Sequence, residues 1–248
     1  MSRVVYGLRP VEELLRSNRE VAVLYFAGGG ERSAPLKSIA EAASRRKIAI
    51  EELGRDALLA LAGGGLHQGV IAIAGDYTYI EPEELLSLPL SKGETPLILV
   101  LDSVQDPQNL GALVRSAHVL GAHGVLIPKD RAAQVTPSVV KASAGATEHV
   151  PIALCTNLAR ALEGLKSSGV WVVGAVSEGG EDPWAIDFKV ATALVLGAEG
   201  TGLRPLVAKS CDRRVKIPMV GQVASLNVSA AGAVLLYEAT RQRLAPRE

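Results

Sequence analysis

Cysteine is scarce in this chain of 248 residues: Cys155 and Cys211 form neither a CxxC pair nor any metal-ligand spacing. A disulfide scaffold is thereby excluded, and two packed thiols in a reducing compartment are the expectation. The four histidines, His67, His118, His123 and His149, lack the pairing of a zinc site, so no metal is expected. Charge of one sign is not in excess either: 26 Lys+Arg balance 26 Asp+Glu. Residues 1–78 carry 10 basic and 9 acidic groups and the remainder 16 and 17, so neither part is a basic tail and any nucleic-acid contact must rest on local patches. No apolar run approaches the roughly 18 residues of a membrane span, and Met1-Ser2-Arg3-Val4-Val5-Tyr6-Gly7 has no apolar signal core. A cytoplasmic protein without a membrane partner is therefore expected. The glycine triplets 28–30 and 63–65 lack the Lys-Ser/Thr of a phosphate loop and read as turns.

What the chain does have is apolar residues, 48% against 21% charged, enough to build a core. Helical spacing over 9–16, a strand at 21–26, a helix near 36–46, a strand at 48–50, a short helix at 56–61 and a strand at 70–74 predict a small α/β unit over residues 1–78. Pro82, Pro89, Gly93 and Pro96 around a short acidic helix mark 79–95 as a connection. From residue 96 to 248, the run 96–101 reads as a strand apolar on both faces, and further runs at 124–127, 170–173, 193–196 and 213–217 alternate with helices. That pattern predicts an α/β domain on a parallel sheet.

Three segments of this second domain carry polar chemistry at the end of a strand, where open α/β sheets bind ligands. After Leu101, Asp106 suits an N-cap and Pro107 the first helical position, which puts Asn109 in the first turn; Leu110, Leu113, Val114 and Ala117 face the sheet and Arg115 sits at the edge of that stripe. By itself Arg115 reads as a solvated helix residue. Gly197-Ala198-Glu199-Gly200-Thr201-Gly202-Leu203 follows a late strand in the order G-x-x-G-x-G, so it is no dinucleotide fingerprint; it is an ordinary tight turn or a ligand loop with Glu199 as acceptor. Ile217-Pro218-Met219 leads through a loop to Ser225-Leu226-Asn227, and either Ser225 or Asn227 could cap the apolar helix that starts at Val228.

Jointly, Asn109 to Ala117, Leu196 to Leu203, and Ile217 to Met219 followed by Ser225 to Ser229 resemble the SpoU/TrmH branch of the SPOUT methyltransferases in order, spacing and flanking strands. Tyr6-Gly7-Leu8-Arg9-Pro10-Val11-Glu12 and His67-Gln68-Gly69-Val70 are similar to the substrate-binding module of that family's ribosomal RNA enzymes. The resemblance implies a SPOUT domain with a deep trefoil knot, S-adenosylmethionine as cofactor, and a homodimer with active sites at the subunit interface. It assigns cofactor contacts to Gly197, Gly202, Ile217, Met219 and Leu226, with Ala175 and Val176 at a neighbouring strand end. It assigns Arg115, Asn109, Glu199, Ser225 and Asn227 to catalysis.

The reaction so implied is 2′-O-methylation of a ribose, in a guanosine of 23S ribosomal RNA or alternatively at another ribosomal or transfer RNA site. A non-catalytic RNA-binding assembly factor is the competing class. Arg115 would be the base that takes the 2′-hydroxyl proton or, more in keeping with a guanidinium that stays protonated, a bidentate phosphate clamp. Arg45-Arg46-Lys47 and Arg213-Arg214-Lys216 are the local cationic clusters.

Overall fold

The first strand of the molecule is one that apolar patterning did not reveal. In the computed structural model, which describes residues 2–222 and 225–245, β1 (Ser2–Tyr6) runs antiparallel to β4 (Val70–Gly75). Its outer half is partly exposed, so the sequence shows only a short apolar dipeptide there. The sheet continues with β2 (Val21–Ala27), antiparallel to β4, and β3 (Ala49–Leu53), parallel to β2, in the order β1-β4-β2-β3. Helices α1 (Leu8–Arg16), α2 (Ala34–Arg45) and α3 (Arg55–Leu61) connect them. Val11, Leu14 and Leu15, the helical stripe read from the sequence, are buried with Leu24 and Phe26. Each such side chain contributes about 1.5–3 kcal/mol relative to exposure.

Helix α1 ends in an unusual way. Arg46, just beyond α2, donates to the carbonyls of Leu14, Leu15, Ser17 and Arg19 at 3.3, 2.9, 3.0 and 2.7 Å, satisfying acceptors that the end of a helix leaves unpaired. One cation of the 45–47 cluster is thus spent inside the unit, while Arg45 and Lys47 are exposed.

This first compact unit also includes a later segment, Val135–His149, with helix α6 (Pro137–Ala142) and a 3-10 turn at Ala146–Glu148. Val140 joins the apolar core. The Glu148 side chain is fully buried, held by Arg3 through two bonds of 2.8 and 2.6 Å and by Arg19 at 3.2 Å. Both guanidiniums lie over the ring of Tyr77, 5.5 and 4.8 Å from its centre.

The second unit comprises Tyr79–Gln134 and the chain from Val150 onward. Its six strands are β5 (Leu97–Leu101), β6 (Gly124–Pro128), β7 (Ile152–Cys155), β8 (Trp171–Ala175), β9 (Thr192–Leu196) and β10 (Arg213–Val215). All are parallel, in the order β10-β8-β9-β5-β6-β7. The doubly apolar runs are explained by cover on both faces. Alternate residues Ile98, Val100, Leu126, Val172 and Val195 pack with Leu158, Leu162 and Leu165 of α7 (Leu158–Ser167) and Val207 of α8 (Pro205–Ser210). Helices α5 (Pro107–Val119) and α9 (Val228–Leu244) pack against each other. β7 has only four residues and was not anticipated; β10 stops at Val215, two residues short of the apolar run.

The stretch 79–95, expected as a connection, contributes to this unit. Ile80 bridges Ala153, and Leu85 and Leu86 of α4 (Glu84–Ser91) are buried in the same apolar cluster. Pro82 and Gly93 mark turns on either side of α4, and Pro89 lies inside that helix. No helix among the described residues is long and apolar enough to cross a membrane.

Candidate active site

Parallel register places the ends of four strands in one row. Leu101 pairs with Leu196 and Val215 with Ala175, one step beyond the pairing of Gly174 with Val195. The loops leaving that row are the ones that carry the candidate residues. From β5 the chain proceeds to β6 on one side, whereas β9 and β8 lie on the other, so the crevice between β5 and β9 is the switch point where such sheets bind ligands. A cleft of about 340 Å³ opens there, lined by Ser103, Val104, Gln105, Asp106 and Asn109 from one loop, Ala198, Glu199 and Thr201 from the other, and Val228.

Helix α5 starts as anticipated. The Asp106 carboxylate accepts the backbone N–H groups of Gln108 and Asn109, each at 3.2 Å, with Pro107 at the first position. Asn109 is buried. Facing it, Asn227 caps α9: its Oδ1 accepts Ser229 N–H at 2.9 Å and Ala230 N–H at 3.4 Å. With its carbonyl committed to the cap, Asn227 has Nδ2 left to donate, and it donates to Asn109 Oδ1 at 2.9 Å and to Glu199 Oε1. Glu199 Oε1 also accepts Val228 N–H at 3.4 Å. Residues 118 and 28 positions apart are thereby joined in one polar cluster. Close packing of α5 on α9 permits this: a Cβ on Gly232 would lie 2.4 Å from Leu113 Cδ2 and 2.7 Å from Leu196 Cδ1.

The 197–203 loop is a tight turn closed on itself. Ala198 and Gly202 exchange N–H to carbonyl bonds of 3.1 and 2.9 Å, and Gly200 and Gly202 adopt φ of 79° and 66°. Among the other cofactor candidates, Ala175, Val176 and Ile217 are half-buried, and Val176 N–H donates to Val215 at 2.9 Å. Met219 and Leu226 are exposed, as is Ser225; Val223 and Ala224, within the third segment, lie outside the described residues. Arg115 is exposed on α5, makes no hydrogen bond or ion pair among the described residues, and does not line the cleft. Six residues beyond Asn109, it stands about 9 Å along the helix and about 120° around it.

Sequence reasoning missed a buried ion pair beneath this site. Asp102, fully buried directly after β5, accepts the Arg204 backbone N–H at 2.7 Å and its Nε at 2.6 Å; its own N–H donates to Leu196 at 2.7 Å. The available signal was a carboxylate adjoining a strand buried on both faces, a position that demands a partner. Of the second cationic cluster, Arg213 is engaged with Glu181, whose carboxyl it holds below the usual range. Burial pushes both thiols, Cys155 and Cys211, up to about 11, which keeps them protonated and unreactive. Among the described residues there is no group of three His, Cys, Asp or Glu side chains able to hold a metal ion.

The fold and this cluster define a parallel α/β domain with a polar cleft at its switch point, and comparison with known proteins identifies it. The SpoU rRNA Methylase family matches residues 96–237, and the family described as RNA 2′-O ribose methyltransferase substrate binding matches residues 4–80. The chain belongs to the SpoU rRNA methylase family. It is 42% identical over 98% of its length to the 23S rRNA (guanosine-2′-O-)-methyltransferase RlmB of Ralstonia nicotianae, covering 96% of that protein. To the RlmB of Vibrio cholerae it is 39% identical, covering 99% of both chains. The crystal structure of an AdoMet-bound rRNA methyltransferase from Sinorhizobium meliloti superimposes with a TM-score of 0.81 at 25% identity, covering 98% of this chain and 88% of that one.

Proposed function

We propose that this protein transfers a methyl group from S-adenosylmethionine to the ribose 2′-hydroxyl of a guanosine in 23S ribosomal RNA. The observation that carries the reading is the Asn109–Asn227–Glu199 cluster, in which the three family segments meet on one cleft. The names of relatives that match over nearly the whole chain supply the substrate. S-adenosylmethionine supplies an electrophilic methyl group when bound. Backbone groups at Gly197, Gly202, Ile217 and Leu226 would hold it, with Met219, Ala175 and Val176 beside them. The fit is chemical: Met219 and Leu226 are apolar side chains left open on these loops, suited to a flat aromatic base. We also infer the deep trefoil knot of the family; the placement of β10 beyond β8 rather than beside β9 supports it.

In this reading Asn109, Asn227 and Glu199 are the rigid wall that orients the ribose, and Ser225 lies at its margin. Orientation is the main demand on the protein, because the methyl donor is already activated. Arg115 acts from the partner subunit of a homodimer. Its face of α5 also exposes Val119, one turn on, and α9 exposes Val234 and Tyr237, apolar surface suited to a second copy. There its planar fork clamps the RNA phosphate next to the 2′-hydroxyl.

Mixing two inactive variants, Arg115→Ala and Asn227→Ala, tests this arrangement: mixed dimers regain activity if the arginine works across the interface, and stay inactive if it works within one chain. The substrate is tested by mapping ribose methylation in ribosomal and transfer RNA from a strain lacking the gene, with rescue. Loss of a mark in 23S RNA is expected; loss in transfer RNA would transfer the same chemistry to that target. Absence of S-adenosylmethionine binding by calorimetry would favour an assembly factor instead.

A further inference from the structure

Three arginines are engaged internally: Arg46 by carbonyls, Arg213 by Glu181, and Arg204 by Asp102. One basic loop at the cleft is not. After β6 the chain forms the loop 129–134, with Lys129, Asp130 and Arg131 exposed. Neither Lys129 nor Arg131 makes a side-chain hydrogen bond or ion pair among the described residues.

This loop is held in one shape and fastened to the cleft. Lys129 N–H donates to Cys155 at 2.9 Å, extending the β6–β7 ladder to the carboxyl edge of the sheet. Ala133 N–H donates at 2.9 Å to the carbonyl of Val104, a residue of the cleft wall. The Gln134 side-chain amide lies 3.3, 3.4 and 3.5 Å from the carbonyls of Pro128, Lys129 and Ala132, closing the loop on itself. Arg131 takes φ 58°, a left-handed conformation that is strained for a residue with a Cβ. A strained, exposed arginine on a braced loop projects from a fixed stretch of backbone without any internal partner to reward it.

We infer that Lys129 and Arg131 form a preset phosphate-binding rim that grips the RNA backbone flanking the target ribose. The inference rests on the proposed RNA methylation, which brings a phosphodiester next to any ribose seated in the cleft. Arg131 offers the fork geometry for a phosphate and Lys129 a second charge, whereas Asp130 between them opposes the anion.

The test compares Arg131→Gln, Lys129→Gln, Asp130→Asn and Arg131→Gly with the wild type, using a 23S RNA fragment and, separately, S-adenosylmethionine. Expected results are a several-fold rise in KM for RNA with each cation removed and a salt slope of log(kcat/KM) reduced by about one per cation. S-adenosylmethionine affinity should be unchanged, and Asp130→Asn should lower KM. Arg131→Gly is decisive, because it relieves the backbone strain: it should melt no lower than wild type and still lose RNA affinity. Unchanged RNA affinity and salt slope in the cation variants would overturn the rim. Direct RNA binding by fluorescence anisotropy, run on the same set, decides the matter even if the wild type transfers no methyl group, an outcome that would count against the proposed reaction alone.

Discussion

Asp102 holds Arg204 at two points, backbone N–H and guanidinium Nε, and so ties the end of β5 to the far end of the 197–203 loop. Both loops that wall the cleft, 103–106 and 198–201, hang from this pair. Asp102→Asn is expected to cost about 3 kcal/mol, the low end for a broken buried pair because Arg204 is partly exposed. Since Glu199 rides on the loop so released, turnover should fall further than stability predicts, and a double-mutant cycle with Glu199→Gln should show coupling. Additive losses would leave the pair a purely structural tie.

Asn227 has two separable duties. Asn227→Ala removes the cap of α9 and should cost about 1 kcal/mol. Asn227→Ser keeps an acceptor for the cap, but its single, shorter hydroxyl cannot replace the two donations of Nδ2 to Asn109 and Glu199. Thermal melting of the serine variant should stay close to wild type while methyl transfer drops by tenfold or more; normal turnover in that variant would show the link to be dispensable.

Gly197 is required by its neighbours. A Cβ there would lie 2.1 Å from the Gly202 carbonyl carbon and 2.5 Å from Leu203 N, so Gly197→Ala must open the turn closed by Ala198 and Gly202. A stability loss of about 1–3 kcal/mol is expected from overpacking. Calorimetry should show S-adenosylmethionine affinity reduced more than tenfold, and retained affinity would remove this turn from the cofactor site.

His123 gives the second unit a pH dependence. Burial holds its imidazole below the ordinary 6.5, with Arg243 acting the same way and Glu94 opposing. Its Nδ1 accepts Leu97 N–H at 2.9 Å, which only a deprotonated nitrogen can do. Because the folded pKa is depressed, the unfolded chain binds the proton more readily, so this contribution is present above pH 6.5 and is lost as pH falls below it. Melting temperature between about pH 7.5 and 5 should therefore fall more steeply for wild type than for His123→Asn. Equal slopes would show that His123 does not set this dependence.

Most of the parallel sheet could be read from the sequence because strands covered on both faces are written as uninterrupted apolar runs. Strands β1 and β7 escaped for the opposite reason, one being half exposed and the other four residues long. The cap at Asp106 and the meeting of Asn109, Glu199 and Asn227 followed from local capping rules and from family spacing. Local rules could not say that Asn227, rather than Ser225, would be the cap, nor that Arg115 would face away from the cleft of its own chain. The Asp102–Arg204 pair depends on the loop after β9 returning to the carboxyl end of β5, which no local pattern encodes. Arg46 illustrates the same limit: its neighbours suggested a cationic surface, and tertiary structure turned it inward onto the end of α1.

The buried Glu148 links the order of synthesis to the order of folding. A fragment stopping at Thr78 would lack the buried Glu148 carboxylate that Arg3 and Arg19 grip, and would leave uncovered the apolar surface that Val140 occupies. Because the 135–149 segment follows β5 and β6 in the chain, the first unit has its full set of residues only after those two strands have been synthesised.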